Sequence, residues 1–289
     1  MRPHALLLGV AFTVGSMAMS TAAIADTPIR QDVDLALVLL TDVSNSMDAR
    51  EYEMVKEGYR AAFSDPQVIA AILSNSKGVA VTYVEFSGAG EFTVVRGWDV
   101  LSSSSSAHAF GDAIAASPRT SAGNTALAVS LRRAADLLSP GEFGSARRII
   151  DVASDEDSDQ GRSAPVRDAV VASGITINAL PFINDRPIGT YDGHMSYANA
   201  QWGLQSTADF YRRDIIGGPG SFLIEVHDYA AFGEALKRKL LRELISSPGV
   251  DANSETSPPR IDHLSSGTVR MIASWLPVGV HRCVRTLFC

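Results

Sequence analysis

The sequence predicts an α/β protein: a Rossmann-like, doubly wound, mostly parallel central sheet with helices on both faces. Two observations predict it. Short, nearly continuous apolar runs such as Asp34-Leu-Ala-Leu-Val-Leu-Leu40 read as strands buried on both faces. Between them lie segments with apolar residues at helical spacing, and strands alternating with helices imply parallel crossovers.

The elements follow in order. After the strand at 34–40 comes the polar turn Thr41-Asp-Val-Ser-Asn-Ser46. A helix starts near Asp48, with Tyr52, Val55, Tyr59 and Phe63 on one face and Glu51, Glu53, Lys56, Glu57 and Arg60 on the other. Asp65-Pro66 breaks it, and a second apolar turn runs from Val68 to Leu73. Strands are expected at 78–86 and 91–98, separated by Ser87-Gly-Ala-Gly90. The serine run 102–106 reads as a loop feeding a helix at 107–116. Ser121-Ala-Gly-Asn-Thr125 opens a helix bearing Leu127, Leu131, Ala134, Ala135 and Leu138. Arg147–Ala153 is a strand ending in the acidic loop 154–161. A helix at 165–173, a strand at 174–180, a loop at 183–193 and a helix at 197–211 follow. Gly217-Gly-Pro-Gly220 turns into a strand at 221–226. The last helix carries Tyr229, Phe232, Leu236, Leu240 and Leu244, with Lys237, Arg238, Lys239 and Arg242 complementing its C-terminal dipole.

The ends read differently. Arg2 and His4 precede the apolar run Ala5–Phe12, and Ala23-Ile24-Ala25 is an A-x-A cleavage site, so residues 1–25 have the pattern of a secretory signal peptide. The expected location is therefore secreted or periplasmic. The domain is expected at 26–246, and 247–289 reads as a flexible tail. Neither the N-terminal run nor Met271–Val280 is long enough to span a bilayer, which takes roughly 20 residues. Loss of Arg2 with the leader moves the net charge from −7 to −8, which disfavours nucleic acid or anionic lipid as a partner. The only cysteines, Cys283 and Cys289, lie in the tail, so no disulfide framework holds the domain, and whether the two pair is left open.

Three loops carry the chemistry. Asp42-Val-Ser-Asn-Ser46 follows the first strand, Gly123-Asn-Thr125 precedes a helix, and Ser154-Asp-Glu156 follows the strand at 147–153. All three belong on one edge of the sheet, where binding groups gather in such folds. The candidate donors are carboxylate and hydroxyl oxygens, with no His or Cys. That set suits a hard cation, Mg²⁺ or else Mn²⁺ or Ca²⁺, at one site.

Asp-x-Ser-x-Ser after a buried strand, a distant Thr before a helix and an Asp after a later strand resemble the metal-ion-dependent adhesion site of von Willebrand factor A and integrin inserted domains. The chain is also similar to a bacterial family of secreted proteins of this fold with no assigned function. That pattern matches Val33-Asp-Leu-Ala-Leu, Glu51-Tyr52, Tyr83-Val-Glu-Phe-Ser87, Arg147-Arg-Ile-Ile-Asp-Val152, Gly174-Ile-Thr-Ile-Asn178 and Ile216-Gly-Gly-Pro-Gly220, within residues 33–246. The resemblance implies that Ser44, Ser46 and Thr125 supply hydroxyl oxygens, and that Asp42 and Asp155 bind directly or through water. Asn45 and Glu156 stand where the pattern usually has Gly.

Other motifs carry less. Asp155-Glu-Asp-Ser-Asp159 starts like an EF-hand, but Gln160 and Val166 occupy the required Gly and Glu positions. Gly217-Gly-Pro-Gly220 precedes a strand, whereas phosphate loops precede a helix. The six histidines form no i, i+4 pair or nucleophile set. The expected function is a non-enzymatic binding module that recognises a protein or peptide carboxylate through its metal. The alternatives are a Mg²⁺-dependent hydrolase or phosphotransferase using Asp42 and Asp155, and a metal-free scaffold. A haloacid-dehalogenase-like site wants Asp where Ser44 stands.

Overall fold

Leu35 to Leu40 are each at most 4% exposed, as a strand covered on both faces requires. In the computed structural model, which describes residues 31–139, 143–156, 162–183, 189–191, 194–196 and 206–245, this run is the centre of β1 (Gln31–Asp42). β1 pairs in parallel with β2 (Val79–Phe86) on one side and β4 (Phe143–Ser154) on the other, and β4 pairs in parallel with β5 (Thr176–Pro181). β3 (Phe92–Leu101) completes the order β3-β2-β1-β4-β5. β3 is antiparallel to β2, because the connection between Phe86 and Phe92 is a tight turn closed by Ser87 N–H to Glu91 O at 3.0 Å.

Side chains alternate across the sheet. Leu35, Leu37 and Leu39 face a layer made by α1 (Ala49–Ser64), α2 (Pro66–Leu73), α3 (Ser104–Ala116) and α7 (Phe232–Ile245). Ala36, Val38 and Leu40 face α4 (Leu127–Leu137), α5 (Ser163–Ala172) and the segment from α6 (Thr207–Phe210) to Ile215. The doubly wound, mostly parallel α/β architecture expected from the sequence is the one observed.

Several local expectations are corrected. The serine run does not stay a loop: Ser103 caps α3, accepting from Ser106 N–H at 3.1 Å, so the helix begins at Ser104. Residues 221–226 lie beside β5 through single parallel bridges, Ala179 to Leu223 and Phe182 to Val226, not as a regular strand. One reason is that the Phe222 N–H donates to the Asn178 side chain at 3.1 Å, removing a ladder bond. The turn before it needs glycine: Gly218 has φ +93, and a Cβ there would stand 3.0 Å from Thr176 Cα. The described part of the helix expected at 197–211 is one α-turn followed by a π-turn, Tyr211–Ile215, closed by Ile216 N–H to Tyr211 O at 2.9 Å. Within and beside the expected loop at 183–193, β6 (Gly189–Tyr191) and β7 (His194–Ser196) form a two-stranded antiparallel ladder.

The polar face of the last helix is also redrawn. Lys237 pairs with Asp65 at 2.7 Å, but Lys239 is wholly buried and serves no solvent-facing dipole role. It falls on the Phe232, Leu236, Leu240 face, which packs on the sheet. Lys56, read as surface, is 6% exposed and donates to Ser117 O at 2.8 Å. α1 and α7 meet backbone to backbone: a Cβ on Gly58 would lie 2.6 Å from Phe232 Cδ1 and 3.0 Å from Gly233 N.

The chain divides into two units, Met1–Asp251 and Ala252–Cys289. The leader pattern, the tail and both cysteines lie outside the described residues. Among the described residues no helix is long and apolar enough to cross a membrane.

Candidate metal centre

β1 and β4 run side by side, with Thr41 opposite Ala153, so the loops after Asp42 and Ser154 leave the same edge of the sheet. Each loop is pinned. Val43 is buried and its N–H reaches Phe86 O at 2.8 Å. Asp48 caps α1 in a reciprocal pair with Glu51, which fixes where the first loop ends. Asn45 N–H donates to Gly123 O at 2.9 Å, joining the first loop to the one that precedes α4.

This brings together all five residues expected from the sequence. Thr125 Oγ1 donates to Ser44 Oγ at 3.0 Å, and Ser44 Oγ lies 3.0 Å from Ser46 Oγ. Ser46 Oγ donates to Asp155 Oδ1 at 2.9 Å, across 109 residues of sequence. Asp42 Oδ1 accepts from Ser44 N–H at 2.9 Å and Asp42 Oδ2 from Ser154 Oγ at 2.6 Å. Asp42 and Ser44 are buried, Thr125 and Asp155 half-buried, and Ser46 exposed, so the cluster opens to solvent on one side.

The electrostatics are those of a site short of positive charge. Burial pushes the Asp42 carboxyl up to about 6, with the Asp155 carboxylate adding to the rise and bonds from Ser154 and Ser44 opposing it. Burial likewise raises Asp155, against the bond from Ser46 and with Glu51 adding repulsion. Among the described residues neither acid has a Lys, Arg or His ion-pair partner. Also among the described residues, no three His, Cys, Asp or Glu side chains cluster as a metal site. The donors here are two carboxylates and three hydroxyls. That all-oxygen set fits a hard divalent cation, which would supply the missing charge.

Several residues that shape the site were not found from the sequence. Arg119 lies in the Thr125 loop and grips the carbonyls of the first loop: Nη2 donates to Val43 O at 2.8 Å, Ser44 O at 2.6 Å and Met47 O at 2.9 Å. A lone arginine in a loop carries no pattern that would have revealed it. Glu85 accepts from Thr120 N–H at 2.9 Å and Thr120 Oγ1 at 2.8 Å, and from Tyr52 OH at 2.8 Å. It is an acid inside an apolar strand, and that was a readable signal of a buried, satisfied carboxylate. Ser154 bonds Asp42, and its own carbonyl accepts from Tyr211 OH at 2.8 Å.

Asn45 is exposed, and the contact described for it runs through its backbone. The Glu156 N–H donates to Ser154 Oγ at 3.1 Å. Residues 157–161 of the rejected EF-hand lie outside the described residues. His108 is exposed, and His227 lies 3.4 Å from Glu225.

The chain belongs to the family described as protein of unknown function (DUF1194), which matches residues 32–248. No curated protein matches it. Among solved structures it is similar to the conserved hypothetical protein BatB from Bacteroides thetaiotaomicron, at 17% identity and TM-score 0.46, over 73% of this chain and 98% of that one. It is similar to a von Willebrand factor type A protein from Catenulispora acidiphila, at 15% identity and TM-score 0.47, over 73% and 43% of the two chains. It is also similar to proximal thread matrix protein 1 from the mussel byssus, in a form with a zinc-occupied MIDAS motif. There the identity is 14% and the TM-score 0.49, over 73% and 48%.

Proposed function

We propose that this member of the DUF1194 family is a divalent-metal-dependent binding module that acts outside the cytoplasm. Asp42, Ser44, Ser46, Thr125 and Asp155 hold one Mg²⁺, with Mn²⁺ or Ca²⁺ as substitutes. The observation that supports this reading is the convergence of five oxygen donors from three distant loops around two buried acids that have no cationic side-chain partner. Five protein oxygens would leave one position of an octahedral metal unfilled on the exposed side. A carboxylate of a protein or peptide partner would complete its coordination on the open side.

A second reading, phosphoryl or acyl transfer with Asp42 as nucleophile, is disfavoured. Both Asp42 oxygens already accept hydrogen bonds, and the side chain is 1% exposed. Such a residue is built to hold a position, not to attack a substrate. That geometry speaks against Asp42 as a nucleophile and so favours the binding reading, and the leader pattern of residues 1–25 supports the extracytoplasmic one.

Calorimetric titration with Mn²⁺ tests the metal. One site is expected in the wild type and none in Asp42→Ala; no binding by the wild type overturns the reading. With Mn²⁺ bound, a peptide bearing a glutamate side chain should displace metal-bound water and lower the water-proton relaxation enhancement. The same peptide with glutamine should not. Metal-dependent turnover of phosphate or carboxyl esters, abolished by Asp42→Asn, would replace the binding reading with the enzymatic one.

A further inference from the structure

β4 carries another acid, Asp151, whose strand position places it on the face covered by α7. There it meets Lys239 and Glu243. The three side chains are 1%, 0% and 1% exposed, which makes this a fully internal ionisable cluster. Lys239 Nζ lies 2.5 Å from Asp151 Oδ1 and 2.6 Å from Glu243 Oε1. The two contacts differ in kind. The one to Glu243 is a hydrogen bond, and the same Glu243 oxygen accepts from Asn178 Nδ2 at 2.7 Å. The one to Asp151 lacks hydrogen-bond angles: among the described residues neither Asp151 oxygen has a hydrogen-bond partner, and neither does Glu243 Oε2. The amine thus sits against the Asp151 carboxyl group without being aimed as its donor. The Phe222 ring lies 5.7 Å from Nζ.

Two carboxylates and one ammonium leave one uncompensated negative charge in a dry interior, a state proteins avoid by neutralising a group. Burial pushes the Asp151 carboxyl up to about 7, with Lys239 opposing the rise and Glu243 adding to it. A buried carboxyl group held against a buried amine, with a second carboxyl group in reach to carry protons, is an arrangement for condensation.

We infer that the folded chain joins Lys239 to Asp151 through an intramolecular amide, with Glu243 as the proton carrier. The step begins from Lys239 ammonium, Asp151 carboxylic acid and Glu243 carboxylate. The ammonium passes one proton to Glu243. The freed nitrogen lone pair attacks Asp151 Cγ and forms the Nζ–Cγ bond. The Cγ–hydroxyl bond breaks, and its electron pair leaves with oxygen. The second nitrogen proton reaches that oxygen by way of Glu243, and water departs. Glu243 is left protonated, so the cluster ends neutral, and neither oxidant nor cofactor is needed. The link ties the middle of β4 to α7 across 88 residues and constrains the unfolded chain as a disulfide does.

Tryptic digestion of the denatured full chain with tandem mass spectrometry tests this directly. The expected product is a branched peptide, Ile149–Arg162 joined to Lys239–Arg242, lighter than the sum of its parts by one water, about 18 Da. Trypsin should fail to cut after Lys239. Glu243→Gln, which preserves side-chain shape, should give the two linear peptides and an intact mass one water heavier than the substitution alone explains. Recovery of only linear peptides from the wild type, with cleavage after Lys239, overturns the cross-link. A fully linked Glu243→Gln protein overturns the role given to Glu243.

Discussion

Two acids four residues apart, one on β4 and one just beyond it, solve the same problem in opposite ways. Asp151, in the middle of the strand, is sealed under α7 with its own partner, the Lys239 amine. Asp155, just past the strand's end, faces an opening ringed by hydroxyls and shares its charge problem with Asp42. The interior cluster carries its neutralising partner in the sequence and excludes everything else. The rim cluster leaves the counter-charge to be supplied from solvent, so it can be exchanged. Burial raises the carboxyl pKa in both places. The source of the compensating charge separates a structural cluster from a binding site.

The comparison can be broken at either end. The largest effect is expected from Lys239→Met, which removes the cross-link and leaves Asp151 and Glu243 buried without the amine. It should cost about 3–5 kcal/mol in urea denaturation; a loss below about 1 kcal/mol would show that the interior cluster contributes neither a link nor a charge pair to stability. Asp42→Ala comes next. It should weaken Mn²⁺ binding more than about 100-fold, since even groups that merely support a ligand are worth roughly 10–100-fold. Mn²⁺ at a hundred times its Kd should stabilise the wild type by about 2.7 kcal/mol and this variant not at all. Removal of the metal with EDTA should erase that gain.

Two smaller effects sharpen the contrast. Arg119→Met releases the carbonyls of Val43, Ser44 and Met47. It should cost about 2 kcal/mol and lower Mn²⁺ affinity about tenfold. Amide exchange should speed up at Asn45 and Met47 and stay slow at Asp151. Gly58→Ala should do the converse. Its Cβ presses on Phe232 and Gly233, so about 1–2 kcal/mol of stability should be lost through the α1–α7 contact, with Mn²⁺ affinity unchanged by calorimetry.

Strands such as β1 were legible because an apolar run such as 35–40 has one economical fate, the centre of a covered sheet. The three rim loops were legible because Asp42, Ser44, Ser46, Thr125 and Asp155 sit at strand ends and a helix start, where chain topology alone puts them on one edge. Their supports were not: Arg119 acts through backbone carbonyls, which any residue offers. Lys239 was read as a helix-end cation because its neighbours Lys237 and Arg238 carry the same charge. Only its register with Phe232, Leu236 and Leu240 hinted at burial, and the matching acid lies on another element.

By itself, the sequence determined the alternation of strand and helix and the set of oxygen donors, because periodicity and turn chemistry are local properties of the chain. Only the tertiary structure decided which charges face one another: that Ser46 reaches Asp155 and that Lys239 lies between Asp151 and Glu243. The interaction of charged groups depends on distance and on exclusion of water, and both are fixed only when residues far apart in the chain pack together.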